Sequence, residues 1–525
     1  MMDWLAGGRH RLPALLGVYF IAHVLIRTVM STSLDFDESE QVLLSQFMSL
    51  GYNSQPPLYT WIQRGLFEVL GYSVFSLALL KNLFVWLTYW FVFESIRKAT
   101  GNLRLASVAT LGMLTIPQIA WESHRDLSHT VAATFATALL CYAVISLAQH
   151  SRSSGSLRWY ALIGLAVGIG TLFKYNFAMV VIGFVIAALS IPRFRSLLFD
   201  RRILVSVLIA GAMILPHALW MIEHPDLVSS KTVTTLTSGQ SEFWAGNVAR
   251  GMSAMVISLI SCVALTTGIF FGLFVRRQDG NVDSPVRDWI ATRQLLERFL
   301  LTVLAMLVLI VLSGHAVEFK NRWFQPFLCV VPAYLVLVFA PSVLNRRRAM
   351  NLSAVMTLGL MLVILVAVIA RPMTGRYRGK YSWLNIPYAE ASRLIGEQSG
   401  ETPDIIVTTD ARSAGNMKVQ HPEAIVLCKD AKHLATPIWS EDGGRPVRVL
   451  ALADSQSPKA ISELAGIAEE AFDGQVIGQS DCKAIEVAYV YGASGDTRHF
   501  LYSQWKLRPV APSVTRMAKR AHSQE

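Results

Sequence analysis

The chain is short of charge. Asp, Glu, Lys and Arg make up 16% of its 525 residues, against roughly 25% in an average soluble domain. That shortage argues against an ordinary soluble enzyme, and a hydrophobic share of 53% argues against disorder. Cysteine is scarce as well. Cys141, Cys262 and Cys329 fall in apolar runs and read as packing residues, while Cys428 and Cys482 fall in a polar C-terminal part. A disulfide between the last two is permitted there but not required. No cysteine spacing matches a zinc site, and no Gly-rich nucleotide-phosphate loop stands out. Acid is the rarer sign, with 36 acidic residues to 47 basic ones and a net charge of +11. A basic excess invites a nucleic-acid reading only where it gathers into a patch.

Long apolar runs are what the sequence has instead. Eleven are read as membrane helices, at about 12–30, 73–96, 103–120, 127–149, 158–173, 175–191, 203–222, 251–275, 298–314, 323–341 and 350–370. Such runs approach the length needed to cross a hydrocarbon core of roughly 30 Å, and helices satisfy their own backbone there. The fold class expected is an all-α polytopic membrane protein with a small C-terminal α/β domain. The first run lacks a small-residue cleavage site and reads as an anchor. With the N-terminus inside, nineteen Lys and Arg fall in inside segments. Eight fall outside: Arg27, Arg64, Arg125, Lys174, Lys231, Arg250, Lys320 and Arg322. That bias follows the positive-inside rule and places the C-terminus outside. The basic excess is thus spread over short loops and forms no nucleic-acid patch; no nucleic-acid partner is expected.

Residues 1–370 form the expected membrane domain, and 371–525 the expected outside domain. The second part holds 19 basic and 18 acidic residues. Strand-like runs at 404–408, 424–428, 447–453 and 484–491 alternate with helical patterns at 387–398 and 458–472. About 150 residues suffice for a core of their own.

Polar residues on the outer side gather in a few places. The loop 31–72 opens with Asp35-Phe36-Asp37-Glu38-Ser39-Glu40, four carboxylates in six residues. Residues 39–50 suit a helix lying along the membrane surface, and Gln55-Pro56-Pro57 forces an extended turn. The turn Trp121-Glu122-Ser123-His124-Arg125-Asp126-Leu127-Ser128-His129 places Glu122, Asp126 and His129 at helical spacing. They face the first loop's carboxylates across a cleft, or Asp126 merely caps the next helix. Lys174, Lys320 and Arg322 are outside cations that oppose the insertion bias; at the interface they suit an anionic phosphate or a phospholipid headgroup. Lys81 lies within a span beside Asn82, so it snorkels outward or neutralises a loop carboxylate. Glu94 is expected to pair with Arg97 or Lys98, one turn away. Carboxylates with cations at one membrane face suit a base that activates a hydroxyl while cations hold a phosphate leaving group.

The stretches Asp37-Glu38-Ser39-Glu40-Gln41, Gln55-Pro56-Pro57-Leu58-Tyr59-Thr60-Trp61, Leu79-Leu80-Lys81-Asn82 and Pro117-Gln118-Ile119-Ala120-Trp121-Glu122-Ser123 resemble GT-C glycosyltransferases that use polyprenyl-phosphate sugars. Within these, the likeness is to bacterial protein-mannosyltransferase and aminoarabinose-transferase relatives. It is greatest to rhizobial lipopolysaccharide galacturonosyltransferases. It covers about residues 12–340. The resemblance implies Asp37 as the base on the acceptor hydroxyl, with Glu38 beside it. It also implies a second acid at Asp126 or Glu122, and phosphate contacts from Lys174, Lys320 and Arg322. Lys81, Glu122 and His129 are support candidates. It implies a polyprenyl-phosphate sugar donor, a glycolipid or polysaccharide acceptor and membrane lipids as partners. The expected place is the inner membrane of a bacterium, with the site facing the periplasm. The cofactor is left undetermined, a divalent cation at the acidic loop being neither required nor excluded. Against these stand a secondary transporter, for which no inverted repeat is seen, and a relative acting on protein or another polysaccharide.

Overall fold

The computed structural model describes residues 1–150, 154–275, 287–435, 446–455, 457–478 and 480–509. The chain divides into two compact units. The first comprises Met1–Arg27, Leu50–Ile62 and Leu77–Ile369, and the second Thr28–Ser49, Gln63–Ser76 and Ala370–Glu525.

The first unit is helical. Among the described residues, seven helices are long and apolar enough to cross a membrane: Arg11–Met30, Val74–Thr100, His129–His150, Ile203–Glu223, Trp244–Phe274, Trp289–Leu312 and Arg347–Met373. Two further apolar stretches are sharply bent. Leu103–Thr115 meets Gln118–Arg125 at 75°, and Phe177–Leu189 meets Pro192–Leu198 at 117°. Each bend has a proline as its cause. Pro117 and Pro192 begin the second piece, and the residues before them, Ile116 and Ile191, are extended. A proline ring disfavours helical geometry in the preceding residue, so the helix stops there. Leu157–Phe173 and Gln325–Val338 are apolar but shorter. Every one of the eleven apolar runs is therefore helical, and among the described residues seven to nine are long and apolar enough to span. Glu94 pairs with Arg97 at 2.7 Å, as its spacing suggests, and also with Arg9 at 3.0 Å.

The second unit is built on a six-stranded sheet. Its strands are β1 (Ile405–Thr408), β2 (Ile425–Cys428), β3 (Val447–Ala453), β4 (Gly474–Ile477), β5 (Lys483–Ala488) and β6 (Thr497–Pro509). They run in the order β2-β1-β3-β6-β4, with β5 also on β6. The β1–β2 and β1–β3 pairs are parallel, with Ile405 opposite both Ile425 and Val449. The pairs made by β6 are antiparallel. Side chains alternate between faces along a strand, and the burial shows it. Ile406, Val426, Leu450 and Leu452 enter one core, whereas Ile405, Val407, Leu427, Val449 and Ala451 enter the other. The helices are α1 (Phe36–Leu44), α2 (Tyr388–Ser399), α3 (Ala411–Gln420) and α4 (Lys459–Phe472). Helices α2 and α3 cover the first face with Leu43 of α1, and α4 covers the second. Cys428 is buried, Cys482 is exposed, and both are free thiols.

Candidate functional site

The acidic stretch of the first loop is the start of α1. Asp35 is its N-cap, and a capping box closes the turn: the Asp35 carboxylate accepts from the Glu38 backbone, and Glu38 Oε2 accepts from the Asp35 N–H at 3.2 Å. This arrangement satisfies two of the backbone donors that every helix start leaves free. Asp35 is 2% exposed. Its charge is met by Arg371, whose two terminal nitrogens donate at 2.8 and 3.1 Å to the two carboxylate oxygens. Two of the four carboxylates thus hold the turn. Asp37 sits in the first helical turn, half-buried.

This turn is fastened to the C-terminal part of the chain. Ser31 Oγ donates to the Leu384 carbonyl at 2.7 Å, and Ser33 Oγ donates to that of Ile386. Asn416 on α3 accepts from the Leu34 N–H at 2.8 Å and reaches Ser39 Oγ at 3.3 Å. Beside it, Gly415 lies so close to α1 that any Cβ there would overlap the Ser39 backbone. Past the helix, Gln46 pairs its side-chain amide with both backbone groups of Val426 on the edge strand β2, at 2.9 and 3.1 Å. Lys418 is buried, donates to the Pro422 and Ala424 carbonyls, and lies 4.9 Å from the Tyr72 ring centroid. Burial pushes its ammonium down to about 8. The helix of this stretch ends at Leu44 with Val42, Leu43 and Leu44 buried, while Met48 and Leu50 beyond it are exposed.

The first unit brings a second set together. Gln118–Glu122 is one π-helical turn, a form that marks functional places in many helices. A short helix, Ser123–Arg125, follows, and the chain leaves helical geometry at Asp126 (φ −164°, ψ 63°). The next helix begins at His129, three residues beyond Asp126. Glu122, Asp126 and His129 therefore do not share one helix. Glu122 pairs with Arg125 at 3.4 Å; Asp126 is half-buried in the turn. His129 is buried, its Nδ1 lies 3.1 Å from the Phe173 carbonyl, and its ring is 5.4 Å from Tyr59 of the Gln-Pro-Pro-Leu-Tyr motif. Lys81 is 4% exposed, which rules out snorkelling to the surface.

Lys174 follows the last residue of Leu157–Phe173, in extended geometry, and its ammonium donates to Thr130 Oγ1. It lines a cavity of about 250 Å³. Its polar lining residues are Ser54, Gln55, Lys174, Tyr175 and Asn176; the rest of the lining is apolar and aromatic, with Phe319, Trp323, Phe324 and Phe327 from one segment. Asn176 Nδ2 donates to the Trp323 carbonyl at 3.1 Å, while its Oδ1 is buried without a hydrogen-bond partner. Tyr175 is fixed by His217: the Leu50 carbonyl, 2.7 Å from Nδ1, can only accept, so Nε2 accepts the hydrogen bond that the Tyr175 hydroxyl donates at 3.1 Å. Lys320 and Arg322 are half-buried on the segment that supplies the aromatic wall. Among the described residues, no three His, Cys, Asp or Glu side chains converge so as to hold a metal ion.

The sequence reading did not single out Asn176, Tyr175, Arg371, Asn416 or Gly415. Asn176 and Tyr175 lie directly after Lys174, the one signal that was available. Arg371, Asn416 and Gly415 are distant in sequence from the loop they hold and carry no motif.

The chain resembles known proteins over most of its length. Residues 54–220 match the family model described as dolichyl-phosphate-mannose-protein mannosyltransferase. The chain is 32% identical over 499 residues to the lipopolysaccharide core galacturonosyltransferase RgtB of Rhizobium johnstonii, covering 94% of this chain and 97% of that one. It is 30% identical to RgtA of the same organism, also a lipopolysaccharide core galacturonosyltransferase, covering 92% and 94%. Among solved structures, ArnT from Cupriavidus metallidurans bound to undecaprenyl phosphate matches with a TM-score of 0.59 at 14% identity, over 94% of this chain and 98% of that chain.

Proposed function

Because the chain belongs to the family of the rhizobial lipopolysaccharide galacturonosyltransferases, and is a membrane glycosyltransferase, we propose that it transfers galacturonic acid from a polyprenyl phosphate to lipopolysaccharide core or lipid A. The cavity of the first unit carries this reading. A polyprenyl phosphate is a long apolar chain with one anionic end, and the cavity has a mostly apolar and aromatic lining that includes the buried Lys174. The ArnT structure holds an amphiphile of that class.

In this mechanism the acceptor oxygen attacks the anomeric carbon from the face opposite the phosphate. Asp37 takes the hydroxyl proton as the carbon–oxygen bond forms. The bond to the phosphate oxygen breaks, and its electron pair leaves on the phosphate. The phosphate departs already charged, so cations matter more than a general acid. Lys174, Lys320 and Arg322 supply them. Asp126 or Glu122 orients the reacting sugar, with His129 and Lys81 in support. Asp35 and Glu38 shape the turn that carries Asp37. A divalent cation is not required by these steps.

Envelope glycolipids from cells with and without the protein test the reading. Mass spectrometry should show an added hexuronosyl residue only in cells that have it. Identical glycolipids would refute it. The reaction is assigned to the periplasmic face of an inner membrane. A reporter active only outside, fused after Arg371, should be active, and a silent fusion would reverse the orientation.

A further inference from the structure

The Arg412 side chain carries a feature that the transfer mechanism leaves unused. Five other arginines of the second unit meet a carboxylate: Arg64 with Glu68, Arg371 with Asp35, Arg393 with Glu390, Arg448 with Asp404 and Arg498 with Asp454. Arg412 meets none among the described residues. Its guanidinium carbon lies 3.2 Å from the ring centroid of Trp383 and 5.5 Å from that of Phe36. Its Nε is buried without a hydrogen-bond partner. The backbone around it is fixed, since the Asp410 carboxylate accepts from the N–H groups of Arg412 and Ser413, each at 2.9 Å. Trp383 remains 41% exposed.

We propose that Arg412 and Trp383 form a subsite for the anionic group of an acidic or phosphorylated sugar, next to the acidic helix. The inference rests on the glycosyl-transfer reading above. Packing alone does not explain the arrangement, because a half-buried guanidinium with an unpaired Nε costs free energy that an apolar side chain would avoid. A stacked guanidinium is held flat and rigid, and its N–H edge matches the two oxygens of a carboxylate or phosphate. Phe36, the other ring at Arg412, immediately precedes Asp37 in the first turn of α1. An anion gripped there would anchor a sugar close to the base. The same chemistry is offered by the carboxylate of a uronic acid donor and by the acidic or phosphorylated sugars of a glycolipid acceptor.

Two measurements on the full-length protein test this. In steady-state transfer, Arg412→Gln should raise KM for one substrate by about 10- to 100-fold, the scale of a charge-assisted hydrogen bond. The loss should fall on KM more than on kcat. Arg412→Lys should recover only part of it, because the ammonium lacks the planar fork. A rise in acceptor KM assigns the subsite to the acceptor, and a rise in donor KM to the donor carboxylate. If neither KM moves, the proposal is overturned. Calorimetric binding of a deacylated, phosphorylated core oligosaccharide gives a readout free of turnover. Wild type should prefer it to the phosphatase-treated form, and galacturonate to galactose, in at least one of the two pairs; Arg412→Gln should erase that preference. Equal binding of charged and neutral sugars by wild type would overturn the subsite even where transfer stands. Loss of anion binding in Arg412→Gln, alongside unchanged turnover in Asp37→Asn, would keep the subsite and reject the base assignment.

Discussion

Asp37→Asn is expected to lower kcat for sugar transfer by about 10²- to 10⁴-fold, the range that a positioned general base contributes. The substitution keeps the size of the side chain and removes only its basicity. It also leaves the helix start intact, because Asp35 and Glu38, not Asp37, make the capping box. The variant should therefore insert into membranes and bind donor as wild type does. Turnover by purified protein, alongside donor affinity, checks this. Wild-type turnover in the variant would remove Asp37 from the mechanism. Glu38→Gln provides the contrast. Its amide oxygen still accepts from the Asp35 N–H, so it should lose far less.

The second large effect is expected far from the loop in sequence. Gly415→Val should reduce kcat by about 10²-fold with little change in donor KM. No Cβ fits between α3 and the Ser39 backbone, so α1 must move. A displacement of about 1 Å at a reacting group is enough for such a loss. Gly415→Ala should fall between wild type and Val. Kinetics normalised to folded protein, with thermal unfolding measured in parallel, separate this from simple instability. A variant that melts earlier but keeps full kcat per folded molecule would show that Gly415 supports the domain and not the placement of Asp37.

The membrane helices were legible because apolar length is a strong signal in one dimension. Every apolar run became helix, and the run 175–191 stops where Pro192 turns the chain, but the bend at Pro117 inside the run 103–120 was not read. A proline in an apolar run kinks a helix or ends it, and composition alone does not say which. In the second unit β1, β2, β3 and β5 were legible from β-branched and apolar runs, while α3, β4 and β6 were not. Helix α3 buries Ser413, Asn416 and Lys418 beside Ala411, Ala414 and Met417, so its inner face has no apolar stripe to find. Strand β6 interrupts its apolar residues with Arg498, His499, Gln504 and Lys506.

The candidate site divides in the same way. Asp37, Lys174, Lys320 and Arg322 stood out through charge on an unexpected side or through family likeness. Their supports did not. Asp35 looked like one more loop carboxylate until Arg371, 336 residues later, was found to neutralise it. Glu38 looked catalytic by adjacency, and its carboxylate is engaged at the helix start. Such roles depend on which partner the fold brings up, and a single sequence does not carry that information.

The central claim is sugar transfer from a polyprenyl-phosphate donor to a glycolipid. The most direct measurement reconstitutes purified protein in lipid with polyprenyl-phosphate galacturonic acid and a lipid A–core acceptor, and follows the acceptor by mass spectrometry. The account predicts one added hexuronosyl residue per turnover, with inverted anomeric configuration and release of polyprenyl phosphate, and almost none with Asp37→Asn. An acceptor of unchanged mass, with the donor intact and the protein folded, would contradict it.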